Sequence, residues 1–269
     1  MTGWTTQAVL AAAAAWTWTP AGSTTVAPGD YELTMFPGHL RASFPVEVQW
    51  SRSERPVAEL VGEIAGHVRS FGHGEVYWMV SDATRPAGTE AELARRGAAL
   101  VETCQVMAWD LTGGVPELGP SPGVRTEVVD GEAALRAADV VNTEVWGDGQ
   151  PLREAAFAIT LAEVRRGLAG WSGFRVVGYL DGEPASYGGC TLVDGVARLW
   201  GAGTRAKLRG RGAYRAVLAR RLALAREHGA TLALVKGRVE TSAPILSRAG
   251  FTVYGEQRCY RLDVSGGTT

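Results

Sequence analysis

The sequence predicts an α/β chain with a mixed sheet, built from two tandem copies of one order of elements. Three observations predict it. Apolar runs of strand character alternate with amphipathic helical stretches through both halves. The stretch TGGVPELGPSPG at 112–123 combines Gly, Pro and Ser without apolar periodicity, which is linker composition. The two halves also end alike. The first closes RRGAALVETCQVMAWDL over 95–111 and the second RAGFTVYGEQRCYRLDV over 248–264, each with an Asp thirteen places after its Gly (Gly97 and Asp110, Gly250 and Asp263).

Each ending follows the same elements. An apolar strand lies upstream, Val76–Val80 in the first half and Leu232–Val235 in the second, and a helix precedes each, Pro56–Ser70 and Ala213–His228. The order strand, helix, strand, helix, strand, strand therefore occurs twice. A period this long means paired domains, not a solenoid. The division expected is 1–112, a linker at 113–123, and 124–269.

Bulk composition sets outer bounds. A chain of 269 residues, 46% hydrophobic and 20% charged, suits two domains that each bury a core. A net charge of −1 leaves no global field to collect nucleic acid. Cys104, Cys190 and Cys259 are widely spaced and odd in number, which fits a reducing, cytoplasmic setting. His39, His67, His73 and His228 show no metal-ligand spacing, so no metal is expected. The alanine run Ala11–Ala15 has no basic residue before it and is too short to span a membrane. Residues 5–16 are expected to form an ordinary helix, and neither a leader nor a membrane partner is expected.

The second half resolves further. Glu132–Val145 and Leu152–Arg166 have helical periodicity. Gly173–Leu180 and Ala185–Leu192 are expected as strands joined by a tight turn at Asp181-Gly182-Glu183, followed by a third strand at Val196–Gly203. A helix over 212–228 comes next, capped by Gly229, then Leu232–Val235, a short helix at Ser242–Arg248, and a closing hairpin-like pair.

The chemistry concentrates at TRAKLRGRGAYRAVLARR, 204–221. Seven of the chain's 27 basic residues (Arg205, Lys207, Arg209, Arg211, Arg215, Arg220, Arg221) fall in these 18 positions. A helix N-terminus presents unpaired N–H groups and the positive end of the macrodipole. Gly210 and Gly212 let the backbone curl so that these groups converge on phosphate oxygens. Arg209 and Arg211 can add charge-assisted bonds. Gly201-Ala202-Gly203 just before the loop would let an extended ligand lie close to the backbone. Neither a P-loop nor a dinucleotide fingerprint fits: no Gly-Lys-Ser/Thr occurs, and no helix opens after Gly201-x-Gly203.

These residues resemble the GNAT superfamily of N-acetyltransferases. Arg209 and Gly212 match its R/Q-x-x-G-x-G/A signature, and TSAPILSRAGF at 241–251 matches its later short helix ending in Gly-Phe. The resemblance covers roughly 124–264. Two positions depart: Tyr214 replaces the last small residue, and Ala206 the usual turn proline. The first half looks like a worn copy, with SRSERP after its central strand (around Ser43–Trp50) and no glycine between Trp50 and Gly62. The chain thus resembles tandem GNAT proteins in which one repeat keeps the cofactor site.

The resemblance implies a coenzyme-A-dependent acyltransferase, with acetyl-CoA the expected donor and a small-molecule amine the expected acceptor. The amine would attack the thioester directly, without a covalent enzyme intermediate. Ala202, Gly203 and Thr204 would hold the pantetheine arm and polarise the carbonyl. Arg209, Gly210, Arg211, Gly212, Ala213 and Tyr214 would hold the pyrophosphate, and Ser242 would complete the cofactor site. Glu144 and Asp148 are the candidate bases. The family's thiolate-protonating tyrosine corresponds to Leu246, leaving Tyr254, Tyr260, Tyr214 or water to serve. Trp146, Trp171 and Trp200 either line an acceptor pocket or pack the core, and Trp4, Trp16 and Trp18 are expected to pack the first domain or its interface. A non-catalytic acyl-CoA-binding module is the alternative. A monomer or homodimer is expected.

Overall fold

The computed structural model describes residues 3–38, 44–147 and 150–266; Ser43, His39 and Asp148 lie outside them. The first half runs α1 (Thr6–Ala14), β1 (Thr24–Val26), β2 (Tyr31–Met35), β3 (Val46–Ser51), α2 (Val57–Ser70), β4 (Glu75–Ser81), α3 (Thr89–Arg95) and β5 (Ala99–Asp110). The second runs β6 (Val124–Val128), α4 (Glu132–Trp146), α5 (Glu154–Ala169), β7 (Gly173–Leu180), β8 (Glu183–Val193) and β9 (Val196–Thr204). A 3-10 turn (Ala206–Leu208) then leads to α6 (Ala213–Glu227), β10 (Leu232–Arg238), α7 (Ser242–Arg248) and β11 (Thr252–Asp263). None of these helices is long and apolar enough to cross a membrane.

The chain forms two compact units that are discontinuous in sequence. The second-half unit comprises Met1–Val9, Met107–Lys236 and Ile245–Val253, and the first-half unit Leu10–Val106, Gly237–Pro244 and Tyr254–Thr269.

In the first-half unit the strand order is β1-β2-β3-β4-β11. The closing strand β11 runs antiparallel to β4, from Gln257 opposite Ser81 to Asp263 opposite Glu75. The expected closing hairpin is therefore one continuous 12-residue strand, and β5 is another. Gly255 does not have the left-handed backbone that a turn there would use. α2 places Leu60, Val61, Ile64, Ala65 and Val68 on one face, the spacing of an amphipathic helix. They pack with Tyr31, Leu33, Val48 and Trp78 in one core. Trp4 belongs to the second-half unit, where its indole Nε1 donates to Thr231 Oγ1 at 3.3 Å.

In the second-half unit β6, β7, β8 and β9 are successively antiparallel, and β10 joins β9 in parallel. The Asp181-Gly182 turn between β7 and β8 has φ of 51° and 84°, both positive as a type I′ hairpin turn needs. Val177 packs into the core formed with α4 and α5. Its neighbour Gly178 faces α6, where a Cβ would lie 2.8 Å from Val217 Cγ2. Successive residues of a strand point to opposite faces, so α4 and α5 cover one face of this sheet and α6 the other.

Candidate functional site

The wall of the site is β9. Its pairing with β10 runs from Val196 opposite Leu232 to Leu199 opposite Val235 and stops, although β9 continues to Thr204. On the other flank the register slips, with Gly189 opposite Trp200 but Tyr187 opposite Gly203. Gly201 and Ala202 thus face the single residue Gly188. Gly201 takes φ 60°, the left-handed conformation of a glycine bulge. A bulge bends its strand, and this one lies where the β9–β10 pairing ends. From Trp200 to Thr204, the backbone groups on the β10 side have no strand partner among the described residues.

Bare backbone is needed on both sides of the bulge. A Cβ on Gly203 would lie 2.5 Å from Val145 Cγ1, so the last turn of α4 sits directly on β9. A Cβ on Gly189 would lie 2.4 Å from the Trp200 ring. That indole is held by Nε1 donating to Thr191 Oγ1 at 2.9 Å and by Arg175 over its face at 5.4 Å. Trp200 packs in the core with α4 and α5, and Trp171 stacks on His228 with centroids 3.4 Å apart, which assigns both to packing. Trp146, at the end of α4, is 37% exposed.

β9 feeds the Arg/Gly loop. Gly210 and Gly212 have φ of 76° and 85°, so both need left-handed backbone. Gly212 caps α6 without a side chain, and the first helical bond is Ala216 N–H to Gly212 O at 3.0 Å. The N–H groups of Ala213, Tyr214 and Arg215 precede that bond and have no acceptor among the described residues. Arg209 and Arg211 are exposed beside them. Arg209 Nε donates to Thr204 O at 3.2 Å, and Arg211 pairs with Asp181 at 2.6 Å. Part of the expected linker is anchored here. Ser121 Oγ donates to Gly212 O at 3.2 Å, and Arg215 Nη2 donates to Pro120 O at 2.8 Å.

Between strand and loop stands Arg205, whose side chain is 10% exposed. It donates to Glu144 Oε1 at 2.5 Å and to Pro184 O at 2.8 Å, and lies 3.6 Å from Glu183. Lys207 pairs with Glu183 at 3.0 Å. The hydrogen bond from Arg205 holds the Glu144 carboxyl below the usual carboxylate range, and Lys207 does the same for Glu183. Leu246 is fully buried. Gly250 of the Gly-Phe motif has φ 93°, and a Cβ there would meet the Trp109 ring at 2.6 Å. Ser242 and Tyr254 belong to the first-half unit. Ser242 Oγ accepts from Arg238 N–H at 2.8 Å, and Tyr254 is half-buried in β11.

The corresponding stretch of the first half is built differently. Arg55, in SRSERP, donates to Asp30 Oδ2 at 2.9 Å and to Glu63 Oε2 at 2.5 Å. Ser53 Oγ donates to Asp30 at 2.6 Å and the Tyr31 phenol to Glu63 at 3.0 Å. Asp30 is held low chiefly by the Ser53 hydrogen bond, and Glu63 by Arg55. Pro56 caps α2. Here the cation is already matched by two carboxylates of the chain itself.

No family model matches the chain, and no curated protein matches it. Solved structures do. A GCN5-related N-acetyltransferase from Kribbella flavida superposes with TM-score 0.65 at 19% identity, over 91% of this chain and 90% of that one. A second, from Sphaerobacter thermophilus, gives TM-score 0.64 at 16% identity, over 89% and 82%. The fold is therefore that of the GCN5-related N-acetyltransferases. Its arrangement is tandem: a tandem GNAT protein from the clavulanic acid biosynthesis pathway superposes with TM-score 0.61 at 14% identity, over 94% of this chain and 86% of that one. The sequence motifs lead to this same fold. The bulge at Gly201 was not read from sequence, although Gly201-Ala202-Gly203 was a signal of close backbone approach.

Proposed function

We propose that the second-half unit binds an acyl-coenzyme A, with acetyl-CoA the expected donor, and transfers the acyl group to a small amine by direct attack in a ternary complex. One observation carries this reading: the bulged, half-unpaired end of β9 leads through a short 3-10 turn and the Arg/Gly loop to a helix N-terminus whose first three N–H groups have no acceptor among the described residues. The first can bind an amide-rich arm as an added strand edge. The second, with Arg209 and Arg211, suits a pyrophosphate. Together they match one ligand with both parts.

In this mechanism the backbone of Ala202, Gly203 and Thr204 takes the pantetheine arm, and the N–H groups that point away from β8 polarise the thioester carbonyl. Gly210, Gly212, Ala213 and Tyr214 present the loop backbone to the diphosphate. Glu144 is a weak base because Arg205 favours its ionised form, and we assign it to holding Arg205, and with it the junction of β9 and loop. Water then receives the amine's proton.

Release of free thiol from acetyl-CoA, with and without a panel of small amines, tests the reading. Amine-dependent release supports transfer. Leu246, which has no proton to give, favours a second reading: a module that binds acyl-CoA without turning it over. Tight binding with no release under any amine would establish that reading and overturn the first.

A further inference from the structure

Arg221 lies two turns along α6 from the loop and is 1% exposed. Its guanidinium rests on Gly188, where a Cβ would lie 2.7 Å from Arg221 Cζ. Nη1 donates to Gly189 O at 3.1 Å, and Nε has no partner among the described residues. No carboxylate pairs with it among the described residues. Its main titratable neighbours are Tyr214 on α6 and Cys190 and Tyr187 on β8. Burial pushes the Cys190 thiol up to about 12, so it stays neutral. By strand alternation, the α6-facing residues of β7 and β9 include Val176, Gly178, Leu180, Ala197 and Leu199, and β6 presents Val124; none titrates.

A guanidinium stays protonated inside proteins. Arg221 is thus a buried positive charge with no internal counter-charge, an arrangement costing several kcal/mol that an apolar side chain of similar length would avoid. Its place in the sheet supplies a use. Gly188, on which it rests, is the residue opposite the Gly201–Ala202 bulge. Gly188 and the bulge are about one strand spacing, roughly 5 Å, apart, and the charge stands beneath Gly188 in the buried layer under α6, where water screens it weakly.

We propose that Arg221 provides the positive potential under which the thioester oxygen and sulfur take up negative charge, acting through the sheet without touching substrate. In the transfer the amine nitrogen bonds to the carbonyl carbon and the C–S bond breaks. The electron pair leaves on sulfur, and the proton lost by nitrogen passes to water while the thiolate takes one back. The field of Arg221 favours the thiolate, which suits a site with leucine where a proton donor would stand. This inference rests on the function proposed above.

The test reads the thiol of bound coenzyme A. Binding is first measured by calorimetry for the wild type, Arg221→Met and Arg221→Lys. The thiol is then titrated in each complex by its ultraviolet absorbance, against the same protein holding desulfo-coenzyme A. The expected result is a wild-type thiol pKa lowered by about one pH unit from that of free coenzyme A, a loss of the shift in Arg221→Met, and partial retention in Arg221→Lys. A purely structural role would move affinity and thermal stability but leave the thiol pKa alone. Coenzyme A bound with an unshifted thiol in the wild type overturns this inference alone, whether or not the variants fold. No binding of coenzyme A overturns the proposed function as well.

Discussion

Gly203 and Val145 stand so close that a methyl group on Gly203 would lie 2.5 Å from Val145 Cγ1 and 3.3 Å from Val145 Cβ. The contact joins the end of α4 to the bulged segment of β9. Gly203→Ala must push α4 off the strand, costing about 1–3 kcal/mol as overpacking does. Val145→Ala in the same chain removes the obstacle and restores much of that loss. Urea unfolding of the two single variants and the double variant measures this, and additive losses would count against the contact.

Arg211 is committed to Asp181 at 2.6 Å, yet both side chains are more than half exposed. Such a pair is worth about 0–1 kcal/mol, so an incoming pyrophosphate can displace it. Arg211→Glu is expected to weaken coenzyme A binding at least tenfold, roughly 1.4 kcal/mol. Asp181→Asn releases the guanidinium and is expected to tighten binding by about threefold or less. Calorimetry with coenzyme A checks both, and an unchanged affinity in Arg211→Glu would remove this loop from the binding site.

Arg55 meets two carboxylates in the first half, whereas Arg209 and Arg211 flank free N–H groups in the second. The expected stoichiometry is one coenzyme A per chain. Titration of wild type should show a single class of sites, lost in Arg211→Glu and unaffected in Arg55→Ala. Two equivalent sites would refute the assignment of the first half as a worn copy.

Glu144 separates clamping from base catalysis. Arg205 favours its charged form, so it is ionised at neutral pH but weakly basic. Glu144→Gln keeps a hydrogen-bond acceptor for Arg205. It should lower kcat less than tenfold, with the larger change in KM, whereas loss of a true general base typically costs 10²–10⁴. Steady-state kinetics over a pH series distinguishes the two, since only a base would carry an acidic limb away with it.

Glu92 on α3 predicts an acid limb in stability. Its carboxyl, 8% exposed, accepts from Arg95 and Arg96, which lower its pKa from 4.5 to about 2. The folded value lies below the unfolded one, so the contribution is complete above about pH 4.5 and is lost as pH falls toward 2. Unfolding midpoints should drop through that window in the wild type and drop less steeply in Glu92→Gln. Equal slopes would contradict the pairing.

The sequence by itself determined the parts that depend on local chemistry. Helices α2, α4 and α6 follow from apolar spacing, the Asp181-Gly182 turn from the two residues that tolerate positive φ, and the helix-opening loop from Gly210, Gly212 and the arginines around them. The repeated element order pointed to a tandem fold. The tertiary structure decided what depends on partners distant in the chain. It made β11 one strand pairing with β4, because an extended apolar run does not name its neighbour. It placed the β9 bulge where the β10 pairing ends, since register is set by both flanking strands together. It bound Glu144 to Arg205 across 61 positions, a pairing that the place of neither residue in the chain reveals. It also set Arg221, one of the seven basic residues of 204–221, against Gly188 in a buried place behind the site.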